Sequence, residues 1–490
     1  MSLAKKTIFS SFILLSLSFI QRSIGLISIL ILARTLTPDD FGIVAIVTLI
    51  VCLFNSLSSG SMKYIIQKKS PTNNDLNSAW TINIILKFSV FVLFVLFIPS
   101  ITEYYNNEKL LVPLYFASLM LPISALGNPG IYLLRKDLNF KPIFKLQLIT
   151  KLVTTSLMIF LALYYKSYWA MIIGIVLTEL ILTFGSYLIH TYKPKLSFCN
   201  IKEQWGFSQW VFLKSIVGYT REQIDSFIIA KYFDASSIGA YSLMKNLSRL
   251  PANQIIEPAT IPLLSSFAKS KGNIAILNYR FKISFLIIII LIAPISSFMF
   301  YFDTHIISVL LGEKWLSYSK IFGIFSVSLA ILSLTNIMNS YITAIGQVKI
   351  LFIADFLSAI ITVSVMFYYR DTSIEFIALL KVCTSFVIQF ILFAYLNIAH
   401  SVPFRFVINS TIYYIGASYL IGFFVKTYIL YSVNSIFFET LIYFFIFCLL
   451  YLLIFIISLS FKKKYPEIEY IYNLLQSGIV LLRQKLFYSH

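Results

Sequence analysis

Charged residues are scarce in this sequence. Asp, Glu, Lys and Arg make up 12% of its 490 residues, about half of the roughly 25% found in soluble globular domains. Hydrophobic residues reach 59%, and the mean hydropathy is +0.85. This composition excludes a soluble globular fold and predicts a polytopic membrane protein.

Cysteine and histidine are also rare, with four of each. The cysteines lie in predicted spans or in a predicted cytoplasmic loop without metal-type spacing, so neither a disulfide framework nor a metal site is expected. The histidines lie far apart, no base or nucleophile motif accompanies them, and the predicted outer loops are short. A membrane enzyme, such as a glycan polymerase, ligase or acyltransferase, is therefore only a third hypothesis for the function.

Apolar runs of about 20 residues recur along the whole chain. Their lack of alternation argues against barrel strands, so the spans are predicted to be α-helices. Fourteen such runs centre near residues 21, 50, 90, 122, 154, 180, 219, 250, 291, 331, 359, 386, 418 and 449. The first run continues past Gln21 and Arg22 without a small-residue cleavage site, so it is predicted to be a span and not a signal peptide.

Basic residues are distributed unevenly between the predicted loops. When the loops are assigned alternately to the two sides, one side carries 23 Lys and Arg residues and the other carries 8. The positive-inside rule assigns the first side to the cytoplasm and predicts that both termini are cytoplasmic. The net charge of +19 is thus explained mostly by membrane topology, and no nucleic-acid partner is expected.

The predicted seventh span, residues 205–233, carries charge through what should be a bilayer. Lys214, Gly218, Arg221 and Asp225 follow one another at steps of four, three and four residues, so they share one helix face, with Glu222 beside it. A charge at the bilayer centre costs about 2.5–3.5 kcal/mol, so this face must contact protein or water. Either Arg221 and Asp225 neutralise each other inside a packed bundle, or the face lines a polar cavity.

Other predicted spans also carry charges. Arg22 shares a face with two serines of the first span, and Lys245 and Arg249 are four residues apart in the eighth span, residues 239–262. Lys151 and Glu179 are weak signals alone, because either side chain can reach the interface. Eight basic and five acidic residues fall within spans: Arg22, Lys87, Lys151, Lys214, Arg221, Lys245, Arg249 and Lys381, and Glu179, Glu222, Asp225, Glu257 and Asp355. This cationic balance favours a substrate that carries phosphate or carboxylate groups.

A weak internal repeat divides the chain. Ala33 and Gly42 are echoed by Ala230 and Gly239 at an offset of 197 residues, and six spans lie between the starts of the two copies. This predicts two parallel six-helix lobes, residues 1–200 and 201–400. Residues 401–460 are predicted to be an appended helix pair that faces lipid all round. Residues 461–490 are predicted to form a cytoplasmic tail, either an amphipathic helix on the inner membrane surface or a disordered segment.

Five segments carry a family resemblance. They are SLAKKTIFSSF, IIQKKSPTNNDLNSAW, LLRKDLNFK, DSFIIAKYFDASSIGAYSLMKNLSRLPANQI and LLGEKW. In this order they resemble the Wzx-type polysaccharide flippases, in the branch of the colanic-acid and teichuronic-acid exporters. That group belongs to the MOP superfamily, which also holds the MATE transporters and the lipid II flippases. The resemblance covers most of the first twelve spans and is weak over the last two, and the tail after Lys462 departs from it.

The resemblance implies an all-α MOP fold of about 14 spans in the bacterial inner membrane. Its implied function is to flip undecaprenyl-diphosphate-linked oligosaccharide units to the periplasmic leaflet for O-antigen or exopolysaccharide synthesis. The substrate-binding candidates are Arg22, Lys214, Arg221, Lys245 and Arg249, and Glu222, Asp225 and Asp355 are the candidates for coupling to H⁺ or Na⁺. No cofactor is expected. Besides the lipid-linked glycan and membrane lipid, a polysaccharide polymerase and a chain-length regulator are candidate partners. The alternative is a MATE-like ion-coupled exporter of small molecules, against which the cationic balance counts.

Overall fold

The structure is a computed structural model that describes residues 3–58, 62–199, 201–256, 263–264, 266–270, 272–429, 435–463, 466–473 and 476–477. These ranges are mainly helical and contain no β-strand. Twelve segments within them are long and apolar enough to span a membrane. The predicted all-α membrane fold is confirmed, and the count of fourteen spans stays a prediction.

The chain divides into two compact units, residues 1–242 and 243–490. The lobe boundaries predicted from the sequence stay a prediction. The first unit contains ten complete described helices and the start of an eleventh: α1 Leu3–Thr35, α2 Pro38–Ser56, α3 Lys63–Gln67, α4 Asn73–Tyr104, α5 Leu111–Ser118, α6 Met120–Ala125, α7 Gly130–Lys136, α8 Lys141–Tyr165, α9 Trp169–Ile189, α10 Ile201–Tyr232 and α11 Ala235–Ser248.

Two helices of the first unit begin with the same N-terminal capping arrangement. The Thr37 side chain caps α2 and Asp40 bonds back to it, and Thr72 and Asp75 repeat the arrangement at α4. Such a capping box satisfies backbone N–H groups that have no partner within the helix. The chain therefore enters both spans at a defined point.

Helix α10 packs on α2, α3 and α4, while α1 packs on α8 and α8 on α9. Although α10 is one continuous helix, its seven charged residues keep it out of the twelve apolar spans. The predicted eighth span is also absent from the twelve, because its described helix, α11, is only 14 residues long.

Helix α11 continues into the second unit, where a short π-helix, Ala252–Ile256, follows it. The remaining described helices of this unit are α12 Ile274–Tyr301, α13 Asp303–Leu311, α14 Ser319–Ile345, α15 Val348–Tyr368, α16 Ile374–His400, α17 Phe404–Tyr428 and α18 Ile436–Ser460. Helix α12 packs on both α14 and α17, and α14 packs on α16.

The helix pair α17 and α18 does not face lipid all round, so that prediction is wrong. Ser418 of α17 is fully buried and its carbonyl accepts a hydrogen bond of 2.7 Å from the Ser297 hydroxyl of α12. Tyr451 of α18 donates to the Ile290 carbonyl of α12 at 2.9 Å. Small residues let spans approach closely and hydrogen-bond across the contact, and hydropathy alone does not reveal this.

Candidate functional site

Four of the predicted site residues lie on α10, within the first unit, and the side chains of three of them are described. Asp225 is fully buried, Arg221 is half-buried and Glu222 is exposed. The face therefore changes from protein-covered to accessible within one helical turn. This gradient suits a helix that packs on one side and borders a polar space on the other.

Asp225 accepts a hydrogen bond of 2.8 Å from the Tyr241 hydroxyl, and both groups are buried. The bond connects α10 to α11 across 16 residues of chain. A buried carboxylate is tolerated only when hydrogen-bonding partners replace its water. Tyr241 was not predicted from the sequence as a partner of Asp225. A tyrosine 16 residues after an aspartate is too general a signal to identify such a pair.

The two glycines of the internal repeat lie against each other. A Cβ atom added to Gly42 would lie 1.8 Å from the Ala235 carbonyl oxygen, and one added to Gly239 would lie 2.3 Å from the Pro38 carbonyl oxygen. The backbones of α2 and α11 thus cross with no room for a side chain at either position.

Arg22 lies half-buried on α1, the helix that packs on α8. Three residues further along the same face, the Cβ position of Gly25 lies 3.7 Å from the Lys151 Nζ atom of α8. Because residues three apart share a helix face, Lys151 lies on the same side of α1 as Arg22. The structure thus strengthens the weak sequence signal of Lys151.

A second polar group in the first unit, which is half-buried, could not be predicted from the sequence. Lys87 of α4 donates a hydrogen bond of 2.6 Å to the Ser124 hydroxyl of α6, and Glu179 of α9 interacts electrostatically with Lys87. Both ionisable residues were visible as charges within spans. Their pairing was not, because they are 92 residues apart.

The other predicted site residues lie in the second unit. Lys245 on α11 is 4% exposed, whereas Arg249, directly after α11, and Asp355 on α15 are half-buried. A lysine this buried within an apolar unit is uncommon and needs compensating partners. The Lys214 side chain and Glu257 lie outside the described residues.

The segment after α3 carries a compact ionic group. The Lys68 ammonium lies 2.8 Å from the Asp75 carboxylate, which is fully buried, and 3.6 Å from Glu203 of α10. The hydrogen bond to Asp75 raises the pKa of the Lys68 ammonium above its ordinary value. Burial, followed by the hydrogen bond to Glu203, raises the pKa of the Tyr64 hydroxyl. This group fixes the start of α10 to the start of α4.

No group of three His, Cys, Asp or Glu side chains in the described part of the chain is arranged to hold a metal ion. The predicted site residues and their neighbours instead offer cationic and hydroxyl groups. Such groups bind anions by charge-assisted hydrogen bonds.

A family profile described as polysaccharide biosynthesis protein matches residues 31–320. This range covers more than half of the chain and includes α10 and α11. The chain belongs to this family. Among the relatives, a membrane protein of the cps region of Klebsiella pneumoniae is 25% identical over 75% of this chain and 77% of its own length. The lipopolysaccharide biosynthesis protein WzxC of Escherichia coli is 24% identical over 72% of this chain and 73% of its own length. The resemblance to the Wzx-type proteins is confirmed.

Solved structures share the fold of this polysaccharide biosynthesis family member. The lipid II flippase MurJ, in an inward closed conformation, superposes with a TM-score of 0.77 over 92% of this chain and 99% of its own, at 16% identity. An inward-facing MATE family transporter of the MOP superfamily has a TM-score of 0.60 over 80% of this chain and 98% of its own, at 13% identity. The expected MOP fold is confirmed.

Proposed function

We propose that this protein flips undecaprenyl-diphosphate-linked oligosaccharide units from the cytoplasmic to the periplasmic leaflet by alternating access. The observation that carries the proposal is membership of the polysaccharide biosynthesis family in a chain whose spans hold a surplus of basic residues. The relative from Rhizobium meliloti, named succinoglycan biosynthesis transport protein ExoT, is 21% identical over 70% of this chain. Its name joins polysaccharide synthesis to transport, which supports the same activity here.

The cargo sets a physical requirement. Its headgroup is large, polar and anionic, and it has to cross a layer in which every unsatisfied polar group costs several kcal/mol. Cationic side chains along a wet path replace part of the hydration of the diphosphate, while the polyprenyl tail remains in lipid. Arginine suits this role because its planar fork donates two parallel hydrogen bonds to a phosphate.

In this mechanism the five basic candidates contact the diphosphate or anionic sugars: Arg22, Lys214, Arg221, Lys245 and Arg249. The burial of Asp225 and its bond to Tyr241 support a role for that carboxylate in coupling to H⁺ or Na⁺. Glu222 and Asp355 are the other coupling candidates. Protonation or ion binding at Asp225 changes the strength of the Tyr241 bond, which links the charge state to the α10–α11 contact.

In this mechanism, α2 and α11 move apart at the crossing of Gly42 and Gly239. Positive-inside topology assigns the α1–α2 and α10–α11 turns to the periplasmic side. The backbone contact next to these turns closes that side, and outward opening requires α2 and α11 to separate. Because glycine leaves no side chain in the contact, the helices separate without unpacking a side chain there.

Family membership and fold favour the bacterial inner membrane as the location, with both termini in the cytoplasm. A polysaccharide polymerase and a chain-length regulator are the partners we propose, since the flipped unit is their substrate. We propose a transporter and not an enzyme. The MATE-like alternative shares the fold, but a cation exporter needs a binding space with the opposite sign of charge.

The direct test is flipping of a fluorescent diphosphate-linked glycan in liposomes that contain the purified protein, with and without proton or sodium gradients. We expect rapid loss of outer-leaflet signal with wild-type protein and at least tenfold slower loss with Arg221→Gln. Lys349→Gln, a charge removal at an exposed site, should flip like wild type. Wild-type rates in Arg22→Gln and Arg221→Gln would refute the assignment of these residues. Absence of flipping by the wild type would refute the proposed activity.

A further inference from the structure

Two cavities adjoin at one end of the second unit. The first, of about 550 Å³, is lined by Lys282, Asn397, Ser401, Arg405 and residues of the α16–α17 turn. The second, of about 570 Å³, is lined largely by apolar and aromatic groups, among them Leu286, Tyr413 and Tyr414. Lys282 and Phe406 line both cavities.

The position matches a bilayer interface. The cavities lie at the start of α12, the end of α16, the start of α17 and the end of α18, each of which is long and apolar enough to span a membrane. Helix ends of this kind lie at the level of lipid headgroups. Phe461, which lines the second cavity, is followed in the sequence by three consecutive lysines. Basic clusters directly beside a span attract anionic lipid.

The first cavity is cationic. Lys282 and Arg405 line it, and none of its described lining residues is acidic, although Glu467 lines the adjoining cavity. Asn397 bonds to the Val402 carbonyl at 2.6 Å and Asn278 to the Ser401 carbonyl at 2.8 Å. These bonds hold the α16–α17 turn in place, so Arg405 follows a fixed stretch of chain. Two cations beside polar groups suit a phosphate.

Glu467 places a carboxylate beside Lys282, the lysine that lines both cavities. Its side chain is 4% exposed, and its carboxylate lies 3.0 Å from the Lys282 ammonium. The ammonium also lies 5.2 Å from the centre of the Phe406 ring. The segment after α18 thus holds one of the two cations, and a second anion at Lys282 would compete with Glu467.

We propose that these cavities bind the phosphate headgroup of a membrane lipid, with the phosphate between Lys282 and Arg405 and the glycerol or first prenyl units in the apolar cavity. The pairing of a cationic cavity with an apolar one favours a lipid over free phosphate. Glu467 weakens the binding by competing for Lys282. The inference needs only the membrane setting and does not depend on which cargo the protein flips.

The test measures lipid binding to the purified full-length protein by native mass spectrometry. The probes are phosphatidylglycerol, undecaprenyl diphosphate and inorganic phosphate. Near a membrane surface one basic residue contributes about 1 kcal/mol to anionic lipid binding, so Lys282→Gln and Arg405→Gln should each bind lipid about fivefold more weakly. Glu467→Gln should bind more tightly, and Lys349→Gln should bind like wild type.

Comparison of the two lipid probes identifies which lipid supplies the phosphate. Either lipid following this pattern supports the site, and the tighter of the two is its ligand. If removal of Lys282 alone prevents folding, the double variant Lys282→Gln with Glu467→Gln restores neutrality and should still bind lipid more weakly than Glu467→Gln. The proposal is overturned if lipid binding is unchanged in the Lys282 and Arg405 variants, or if only inorganic phosphate follows the pattern.

Discussion

Gly42 and Gly239, which the internal repeat places in equivalent positions, touch each other through their backbones. The Cβ position of Gly239 lies 2.5 Å from the amide nitrogen of Gly42. The relationship explains why both copies of the repeat carry glycine here. It also makes the crossing of α2 and α11 a sensitive point for substitution.

Adding one methyl group at this crossing should impair transport. Gly42→Ala and Gly239→Ala force the backbones apart, and overpacking of this kind costs about 1–3 kcal/mol. We expect surface glycan to fall at least fivefold in a strain that depends on the variant, while the amount of protein in the membrane is kept. Gly218→Ala is the matched control, because nothing lies within 4 Å of its Cβ position. Wild-type glycan levels in both crossing variants would disprove the role of the contact.

Loss of the Tyr241 hydroxyl should affect stability and ion dependence more than loss of an exposed hydroxyl. Tyr241→Phe removes the buried hydrogen bond that Asp225 accepts from Tyr241, a loss of about 1–3 kcal/mol. We expect a lower melting temperature in detergent and altered dependence of flipping on the proton or sodium gradient. Tyr164→Phe, at a site 72% exposed, should change neither. Unaltered ion dependence in Tyr241→Phe would remove Asp225 from the coupling mechanism.

The two capping boxes should differ in their contribution to stability. Asp75 caps α4 and also binds Lys68 while fully buried, whereas Asp40 caps α2 at a more accessible site. Asp75→Ala should therefore lower the melting temperature more than Asp40→Ala, whose cap is worth about 1 kcal/mol. Because the pKa of Lys68 is raised, the ion pair persists at neutral pH and is lost only in alkaline solution, above the ordinary range of lysine. Equal melting temperatures of the two variants would contradict this ranking.

Asp303, at the start of α13 between two spans, should make stability depend on pH. Burial raises the pKa of its carboxyl, and the hydrogen bond from the Thr304 amide and the charges of Lys426, His305 and Lys320 only partly offset this. The folded chain holds the proton more tightly than the unfolded chain. Stability is therefore full below the ordinary aspartate pKa of about 4 and falls as the pH rises through the raised value.

Asp303→Asn removes this titration. We expect the melting temperature of the wild type to fall relative to that of the variant as the pH rises above about 4. Asp371→Asn, whose carboxylate is 87% exposed, serves as the control and should follow the wild type. Parallel pH profiles of wild type and Asp303→Asn would contradict the burial argument.

The sequence predicts the helical spans well because bilayer thickness fixes their length and hydropathy. It also marks Arg221 and Asp225, since charges in apolar runs stand out. Contacts between spans that are distant in the sequence could not be predicted. Neither the bond from Tyr241 to Asp225 nor the buried contact of Ser418 with α12 leaves a periodic signal, because each depends on how helices pack.

Hydropathy alone also describes the most charged and the most apolar of the long helices poorly. The charged α10 is a full-length helix that falls outside the apolar spans, and the very apolar α17 and α18 bury residues that pattern alone assigns to lipid. The sequence predicts the end of the chain near Glu467 only as a cytoplasmic tail, either an amphipathic helix on the inner membrane surface or a disordered segment. Its ion pair with Lys282 depends on a tertiary contact across 185 residues.

The central claim is that the charged face of α10 borders water. Single cysteines at positions 221 and 225, in a protein whose four native cysteines are replaced by serine, can be treated with a membrane-impermeant thiol reagent during flipping. A cysteine at 449 on α18, where Leu449 is 61% exposed on an apolar span, is the lipid-facing control. The account predicts labelling at 221 throughout and at 225 in at least one transport state, with none at 449. If 221 and 225 stay as unreactive as 449 under every gradient and substrate condition, the account is contradicted.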